Sequence, residues 1–131
     1  MRSIIIAAAM ALVVTPALAD FRLTVTTWGD IPLCTSGRPN TVPNPPLVLR
    51  DIPEGTTRID FELVDLNVPG FDHGGGRINI ASNADGTIPA GTFRYRSPCP
   101  PGAVHTYEWR ATARAGRTVL ARASSRLDYP Q

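Results

Sequence analysis

Residues 97–109 read Ser97-Pro98-Cys99-Pro100-Pro101-Gly102-Ala103-Val104-His105-Thr106-Tyr107-Glu108-Trp109. Three prolines within four residues fix φ and remove N–H donors, so this loop has few accessible shapes. The residues after it alternate polar with apolar, which is typical of a half-buried strand. A stiff loop that carries Cys99 and leads into His105 is suited to a pre-formed small-ligand site. The alternative is a strand-connecting turn held by a disulfide.

The same period-two alternation recurs on both sides of this stretch. It predicts strands over 21–28, 58–64, 105–113 and 118–123, with shorter extended segments over 47–49, 77–80 and 92–95. The inward positions of the two central strands are Ile59, Phe61 and Leu63, and Tyr107, Trp109, Ala111 and Ala113. Prolines and glycines predict irregular chain over 32–46 and 83–91, and a loop over 65–76. Many short strands with frequent turns predict an all-β fold, an antiparallel β-sandwich with few or no helices. Residues 119–126 could also form a helix.

The chain begins with a secretory pattern. A positive Arg2, an apolar run over 4–14 and the small-x-small triplet ending at Ala19 predict a signal peptide over 1–19, with cleavage after Ala19. Residues 20–131 then form a single β domain without a further membrane-spanning segment, and the protein is expected in the periplasm or secreted. Because only two cysteines exist and both lie in the exported part, we predict a Cys34–Cys99 disulfide.

Charge excludes some partners. The net charge is +2, every basic residue is arginine, and the arginines are scattered among acids along the chain. This pattern has neither the basic stripe of a nucleic-acid-binding protein nor a polybasic membrane patch.

Catalytic and metal motifs are weak. His73 followed by three glycines is similar to an esterase oxyanion-hole segment, but no G-x-S-x-G motif accompanies it. The glycines more simply allow close approach to a neighbouring strand or a ligand. No His, Cys or carboxylate pair has zinc spacing, so we predict no metal. A Ser97–His105–Asp65 triad requires a geometry that sequence order does not supply.

An anion or head-group pocket explains more of these residues. Two imidazoles, the Tyr107 hydroxyl and loop N–H groups can hold a phosphate or carboxylate. Asp65 would orient a histidine or bind the cationic part of a zwitterion. The alternative is that Tyr107 packs only in the core and His105 finds a local partner.

Two blocks of sequence resemble the phosphatidylethanolamine-binding protein family, also called Raf-kinase-inhibitor-like proteins. The first block runs from Asn44-Pro45-Pro46-Leu47 through Ile52-Pro53-Glu54-Gly55-Thr56 to Asp65-Leu66-Asn67-Val68-Pro69. It is similar to the family's S-P-P-L, V-P-E-G-T and D-P-D-A-P motifs. The second block, Tyr95 to Gly102 followed by His105-Thr106-Tyr107, is similar to Y-x-G-P-C-P-P-G and H-R-Y.

The resemblance implies an antiparallel β-sandwich with a small pocket at one end that binds anions and phospholipid head groups, with no established catalysis. We expect no cofactor. The implied ligand-binding residues are Asp65, His73, Ser97, Pro98, Pro101, His105 and Tyr107. The chain departs from the family pattern at Asn67, Ser97 and Thr106, where aspartate, glycine and arginine are usual, and it is shorter between Pro69 and Tyr95, as expected for a shortened, bacterial-type secreted member. Loss of the acid at Asn67 favours a more anionic ligand.

The combined prediction is an exported, non-enzymatic protein that binds a small anion or phospholipid head group. A protein–protein interaction module, or an inhibitor of an extracytoplasmic protease, is the alternative. Aromatic and arginine residues are common interface anchors, and Trp28, Tyr95 and Arg96 are the candidates here.

Overall fold

A computed structural model describes residues 8–12 and 20–131 of the chain. The predicted signal peptide lies mostly outside these residues. In the described part, nine strands follow one another without a helix: β1 Arg22–Thr24, β2 Thr41–Pro43, β3 Leu47–Arg50, β4 Arg58–Asp65, β5 Gly75–Asn79, β6 Gly86–Ile88, β7 Arg94–Arg96, β8 His105–Ala115 and β9 Thr118–Tyr129. Within the same residues, no helix is long and apolar enough to span a membrane.

The strands form three antiparallel sheets. The largest has the order β5-β4-β8-β9, a second has the order β1-β3-β6, and β2 pairs with β7. β1 lies against β9 and β7 lies against β5, so the small sheets cover one face of the large sheet. The all-β, antiparallel prediction is confirmed.

The core lies between these layers and follows the alternation of β4 and β8. All the predicted inward residues of both strands are buried. Two of the three inward β4 residues lie opposite small residues, since Phe61 pairs with Ala111 and Ile59 with Ala113, whereas Leu63 pairs with Trp109. The Phe93 ring stacks on Phe61, 5.7 Å between centroids. The core is thus built from the side chains that the alternation of the two strands directs to one side of the sheet.

β5 begins inside the predicted 65–76 loop because of its glycines. A Cβ on Gly75 would collide with the Phe61 carbonyl, and a Cβ on Gly76 would collide with the Phe93 ring. Both positions therefore require glycine because the β4 backbone and the Phe93 ring lie against them. Of the two explanations offered for the glycines, the neighbouring strand is the one the structure supports.

Strand lengths differ from the prediction at both ends of the domain. Only 22–24 of the predicted first strand pairs in a sheet, because the next residues bind β9 through side chains. The Val25 N–H donates to Ser125 Oγ over 3.0 Å, and Trp28 Nε1 donates to the Asp128 carbonyl over 2.9 Å. The last strand continues to Tyr129, so the helical alternative for 119–126 is wrong. Its alternating exposure follows a period of two throughout.

The predicted disulfide is confirmed. Cys34 and Cys99 are bonded, with their Cα atoms 4.6 Å apart, and they connect segments 65 residues apart in sequence. The bond holds the proline-rich loop against the N-terminal segment. It thereby fixes one wall of the cavity described below.

Candidate functional site

The end of β4 and the beginning of β8 bring three polar side chains together. Asp65 is the last residue of β4 and pairs in register with Tyr107 of β8. His105 opens β8, two residues earlier on the same face. Antiparallel pairing therefore places residues some 40 positions apart beside one another.

Asp65 and His105 form a tight pair. His105 Nδ1 lies 2.7 Å from Asp65 Oδ2, and the Asp65 side chain is only 6% exposed. The other carboxylate oxygen, Oδ1, accepts hydrogen bonds from the N–H groups of Asn67 (2.9 Å) and Val68 (3.2 Å). A carboxylate accepts but cannot donate, so His105 carries its proton on Nδ1 and presents Nε2 as its remaining nitrogen. Asp65 thus orients the histidine, as one of the two predicted roles requires.

His73 is fixed by a different contact. Its Nδ1 lies 2.8 Å from the Arg96 carbonyl, and the Arg96 N–H donates to the His73 carbonyl over 2.8 Å. Because a carbonyl accepts, His73 Nδ1 carries the hydrogen and a neutral ring keeps an acceptor at Nε2. The residue is 3% exposed, and burial lowers its pKa below the usual 6.5. His73 is therefore neutral at physiological pH.

This lowered pKa predicts a loss of stability in mild acid. Below pH 6.5 the unfolded chain takes up a proton at residue 73 that the folded protein resists, so unfolding becomes easier as pH falls. Above pH 6.5 both states are neutral and the effect vanishes. We expect thermal unfolding between pH 7.5 and 5 to show a larger drop for the wild type than for His73→Asn. Parallel curves for the two proteins would contradict this prediction.

The Tyr107 ring lies between the two imidazoles. Its centroid is 5.5 Å from that of His73 and 6.3 Å from that of His105. Burial raises the pKa of the phenol, and the Asp65 carboxylate raises it further. The hydroxyl therefore stays protonated and can donate a hydrogen bond to an anion. Tyr107 packs in the core and also lines the cavity, so the two interpretations of this residue hold together.

These side chains surround a cavity of about 220 Å³. Apolar side chains form most of its wall. The cavity is lined by Gly37, Pro39, Asp65, Val68, Phe71, His73, Cys99, Pro100, Pro101, His105 and Tyr107. The Gly37 N–H donates to the Cys99 carbonyl over 3.1 Å, so the disulfide-linked segments form one continuous wall. A cavity of this kind takes a small polar group at its base and apolar atoms along its sides.

Two of the predicted ligand-binding residues lie elsewhere. Ser97 and Pro98 do not line the cavity, and both are fully buried behind it. The Ser97 Oγ accepts a hydrogen bond from the Asn40 N–H over 3.0 Å, and the Ser97 N–H donates to the Asn40 carbonyl. Ser97 therefore anchors the loop. The same bonds turn its hydroxyl away from His105, so no Ser97–His105–Asp65 relay exists.

Sequence reasoning missed several lining residues. The most informative is Phe71, whose ring centroid lies 4.6 Å from that of His73 and 4.8 Å from the Arg96 guanidinium carbon. An aromatic residue isolated in a polar, glycine-rich loop is the feature that could have identified it. The sequence contains no comparable signal for four other lining residues, Gly37, Pro39, Val68 and Pro100.

The structure corrects the proposed interface anchors. Trp28 is 4% exposed and Tyr95 is 2% exposed, so neither can contact a partner. The Trp28 ring packs edge-on against Tyr107 and Tyr129. Of the three candidates, only Arg96 is exposed. In the described part of the chain, no three His, Cys, Asp or Glu side chains are arranged to hold a metal.

No protein-family model and no curated protein matches the chain. Among solved structures, it is similar to the crystal structure of a protein from Chlamydia trachomatis described as a phosphatidylethanolamine-binding protein homologue. The TM-score is 0.57 at 19% sequence identity, and the match covers 86% of this chain and 98% of the other. At an identity this low, the structural match establishes the fold alone. The chain therefore has the phosphatidylethanolamine-binding protein fold that its two sequence blocks predicted.

Proposed function

We propose that the protein is an exported, non-enzymatic binding protein whose cavity takes a small anion or a phospholipid head group. The observation that carries the proposal is the convergence of Asp65, His105, His73 and Tyr107 on one cavity. Support for export comes from the N-terminal sequence pattern and from the disulfide, which persists in oxidising compartments.

The hydrogen-bonding capacity of the cavity indicates which head group it suits. The Tyr107 hydroxyl is a donor, and His105 Nε2 becomes one when the ring is protonated. His73 Nε2 is an acceptor, because the ring is neutral with its hydrogen on Nδ1. A phosphate ester that keeps one P–OH, or a zwitterion with an ammonium group, offers both an acceptor and a donor. Fully deprotonated carboxylates such as acetate offer only acceptors and should bind more weakly.

The size of the cavity and the hydrogen bonds of His105 favour ligand binding over catalysis. Drug-sized ligands occupy pockets of roughly 300–1,000 Å³, so this smaller cavity suits a head group. A nucleophilic mechanism requires a side chain hydrogen-bonded to the base. His105 instead bonds to Asp65, and the nearby Thr106 hydroxyl donates to Asp128 over 2.7 Å.

Titration with inorganic phosphate, phosphoethanolamine and acetate tests the proposal. We expect the ring resonances of His73 and His105 to shift in nuclear magnetic resonance spectra, most with phosphoethanolamine and least with acetate. His105→Gln should raise the calorimetric Kd about tenfold or more, as loss of a charge-assisted hydrogen bond does. Glu54→Gln, at an exposed turn, is the matched control and should bind as the wild type does. Histidine resonances that none of the three compounds moves would refute the proposal.

A second candidate, the protein-interaction module, is favoured by apolar side chains near the cavity. Val68 lines the cavity and is 47% exposed, and Val104, next to His105, is 60% exposed. Leu33, beside the disulfide, is 76% exposed. A partner such as an extracytoplasmic protease would cover these residues. Binding that survives His105→Ala but is lost with Arg96→Ala would favour this function over the head-group cavity.

A further inference from the structure

Six arginines that are scattered in the sequence lie on one face of the β5-β4-β8-β9 sheet. This is the face turned away from the core, since its residues alternate with the buried ones. Register places Asp60 between Arg77 of β5 and Thr112 of β8, and pairs Thr112 with Arg122 of β9. We call this surface the arginine face, made of Arg58, Arg77, Arg110, Arg114, Arg122 and Arg126.

The arginine face is positively charged in a nearly neutral domain. Three acids lie among its arginines, Asp60, Glu62 and Glu108, which leaves a formal charge of +3. The rest of residues 20–131 has six arginines and eight acids, a formal charge of −2. One of those eight, Asp128, lies at the cavity end of the same sheet face and accepts a hydrogen bond from Thr106. Arginines and acids are therefore mixed along the sequence, but in the folded domain the excess of arginines lies on this face.

The acids hold the guanidinium groups in place without neutralising them. Asp60 contacts Arg58 at 3.0 Å, Arg77 at 3.2 Å and Arg114 at 2.9 Å. Three cations around one carboxylate leave a net charge of +2 in that cluster.

Glu108 likewise contacts Arg110 at 2.8 Å and Arg126 at 3.0 Å. Within the described residues, Arg122 has no carboxylate within 4.0 Å and is exposed. It therefore contributes an uncompensated charge between the two clusters.

A depression of about 750 Å³ runs over this face. Three arginines and three acids line it together with the hydroxyls of Thr112 and Ser124: Arg110, Arg114, Arg122, Asp60, Glu62 and Glu108. The excess positive charge of the arginine face therefore comes from Arg58, Arg77 and Arg126 around the depression. Arg110 and Ser124 are cross-strand partners, as are Thr112 and Arg122, so hydroxyl and guanidinium groups alternate across its floor. The depression therefore presents guanidinium groups, two of them held by Asp60 and Glu108, together with hydroxyl groups that can bond to neutral oxygens.

We propose that the arginine face binds a linear acidic polysaccharide. Guanidinium groups match carboxylate and sulfate oxygens with two parallel hydrogen bonds, and the hydroxyls suit the sugar oxygens between charges. Arg110 and Arg114 are four residues apart along β8, a span of about 13 Å, so an extended chain can contact both positive clusters.

Other partners fit this surface less well. Protein interfaces use exposed aromatic or large aliphatic anchors, whereas the apolar residues that line the depression, such as Phe61 and Ala111, are buried. A flat membrane surface does not complement a depression. Single-stranded nucleic acid requires aromatic stacking platforms, and the lining contains no exposed aromatic ring.

The face is separate from the head-group cavity. Tyr107 points to the core side of β8, while its neighbour Glu108 belongs to the opposite side. Substitutions on one face therefore leave the hydrogen bonds of the other intact.

Binding of size-defined heparin and oligogalacturonate to the full domain tests the proposal, with neutral dextran and single-stranded DNA as reference polymers. We expect both acidic polysaccharides to bind, with a Kd that rises as salt is added. Arg122→Gln should raise the Kd roughly three- to tenfold, the range expected for loss of one partly screened charged contact. Because Arg122 has no ion-pair partner, this variant should unfold at the wild-type temperature.

Arg22→Gln is the matched control, since it removes the same charge from an exposed position on β1. It should bind the polysaccharides as the wild type does. The proposal is overturned if Arg22→Gln and Arg122→Gln weaken binding equally, if dextran binds as well as the acidic polymers, or if single-stranded DNA binds more tightly than either polysaccharide. Absence of binding to both acidic polysaccharides at low salt also overturns it.

Discussion

The double variant Cys34→Ala/Cys99→Ala is expected to lose about 4 kcal/mol of its free energy of unfolding. The disulfide closes a loop across 65 residues, about half of the described chain, so its removal greatly enlarges the conformational freedom of the unfolded state. For a domain of this size, we expect the Tm to fall by roughly 15–25 °C. Alanine is preferred to serine because both positions are 5% exposed and a buried hydroxyl would add its own cost.

Denaturant unfolding of oxidised wild type, reduced wild type and the double variant measures this effect. The reduced wild type should resemble the double variant, and reductant should leave the double variant unchanged. The variant should also bind phosphoethanolamine more weakly than its loss of stability explains, because Gly37 and Cys99 belong to the linked cavity wall. A double variant as stable as the oxidised wild type would show that the crosslink contributes nothing.

Asp65→Ala is expected to destabilise the protein by about 3 kcal/mol and to abolish head-group binding. The buried carboxylate accepts from two backbone N–H groups and from His105. Alanine leaves the Asn67 N–H and His105 Nδ1 without this partner, whereas the Val68 N–H keeps its bond to the carbonyl of residue 65 (3.1 Å). Each unsatisfied buried group carries a free-energy cost of about 1–3 kcal/mol, partly relieved by water entering the cavity.

Asp65→Asn separates folding from binding. The amide oxygen can still accept from the Asn67 and Val68 N–H groups, so we expect a loss of stability of about 1 kcal/mol. Its NH₂ group faces His105 Nδ1 and favours the tautomer with hydrogen on Nε2, which nitrogen-15 spectra of the imidazole detect. Phosphoethanolamine should bind at least about tenfold more weakly, because the amide lacks the negative charge that attracts the ammonium group of this ligand.

Asp72→Asn is the control for this substitution. It removes the same charge from the neighbouring loop, where Asp72 Oδ1 accepts only from the Gly74 N–H. Its affinity for phosphoethanolamine should match that of the wild type. An Asp65→Asn protein with wild-type affinity and an unchanged His105 tautomer would show that the pair has no role in binding.

Local patterns predicted the centre of the fold. The inward residues of β4 and β8 followed from alternation alone, because successive side chains of a strand point to opposite sides. The three-residue strands β2 and β6 were missed because their pairing depends on β7 and β3, which lie far away in the chain. Prolines and glycines near them predicted irregular structure instead.

In the candidate site, too, some residues could be predicted from the sequence and others could not. Asp65, His73, His105 and Tyr107 were identifiable from residue type and motif order. The position of Ser97 was not, because its hydroxyl could serve either a ligand or the backbone, and its contact with Asn40 exists only in the folded chain. Trp28 and Tyr95 are typical of interfaces by composition, yet the packing of the sheets buries both.

By itself, the sequence determined the strand alternation, the single pairing of two cysteines and the kinds of side chain available for binding. Those properties are local or covalent, so neighbours in the chain suffice to define them. Tertiary structure alone decided which polar groups face the cavity and which arginines share a surface. Both outcomes depend on the register between strands distant in sequence, and that register is set by the collective packing of the core.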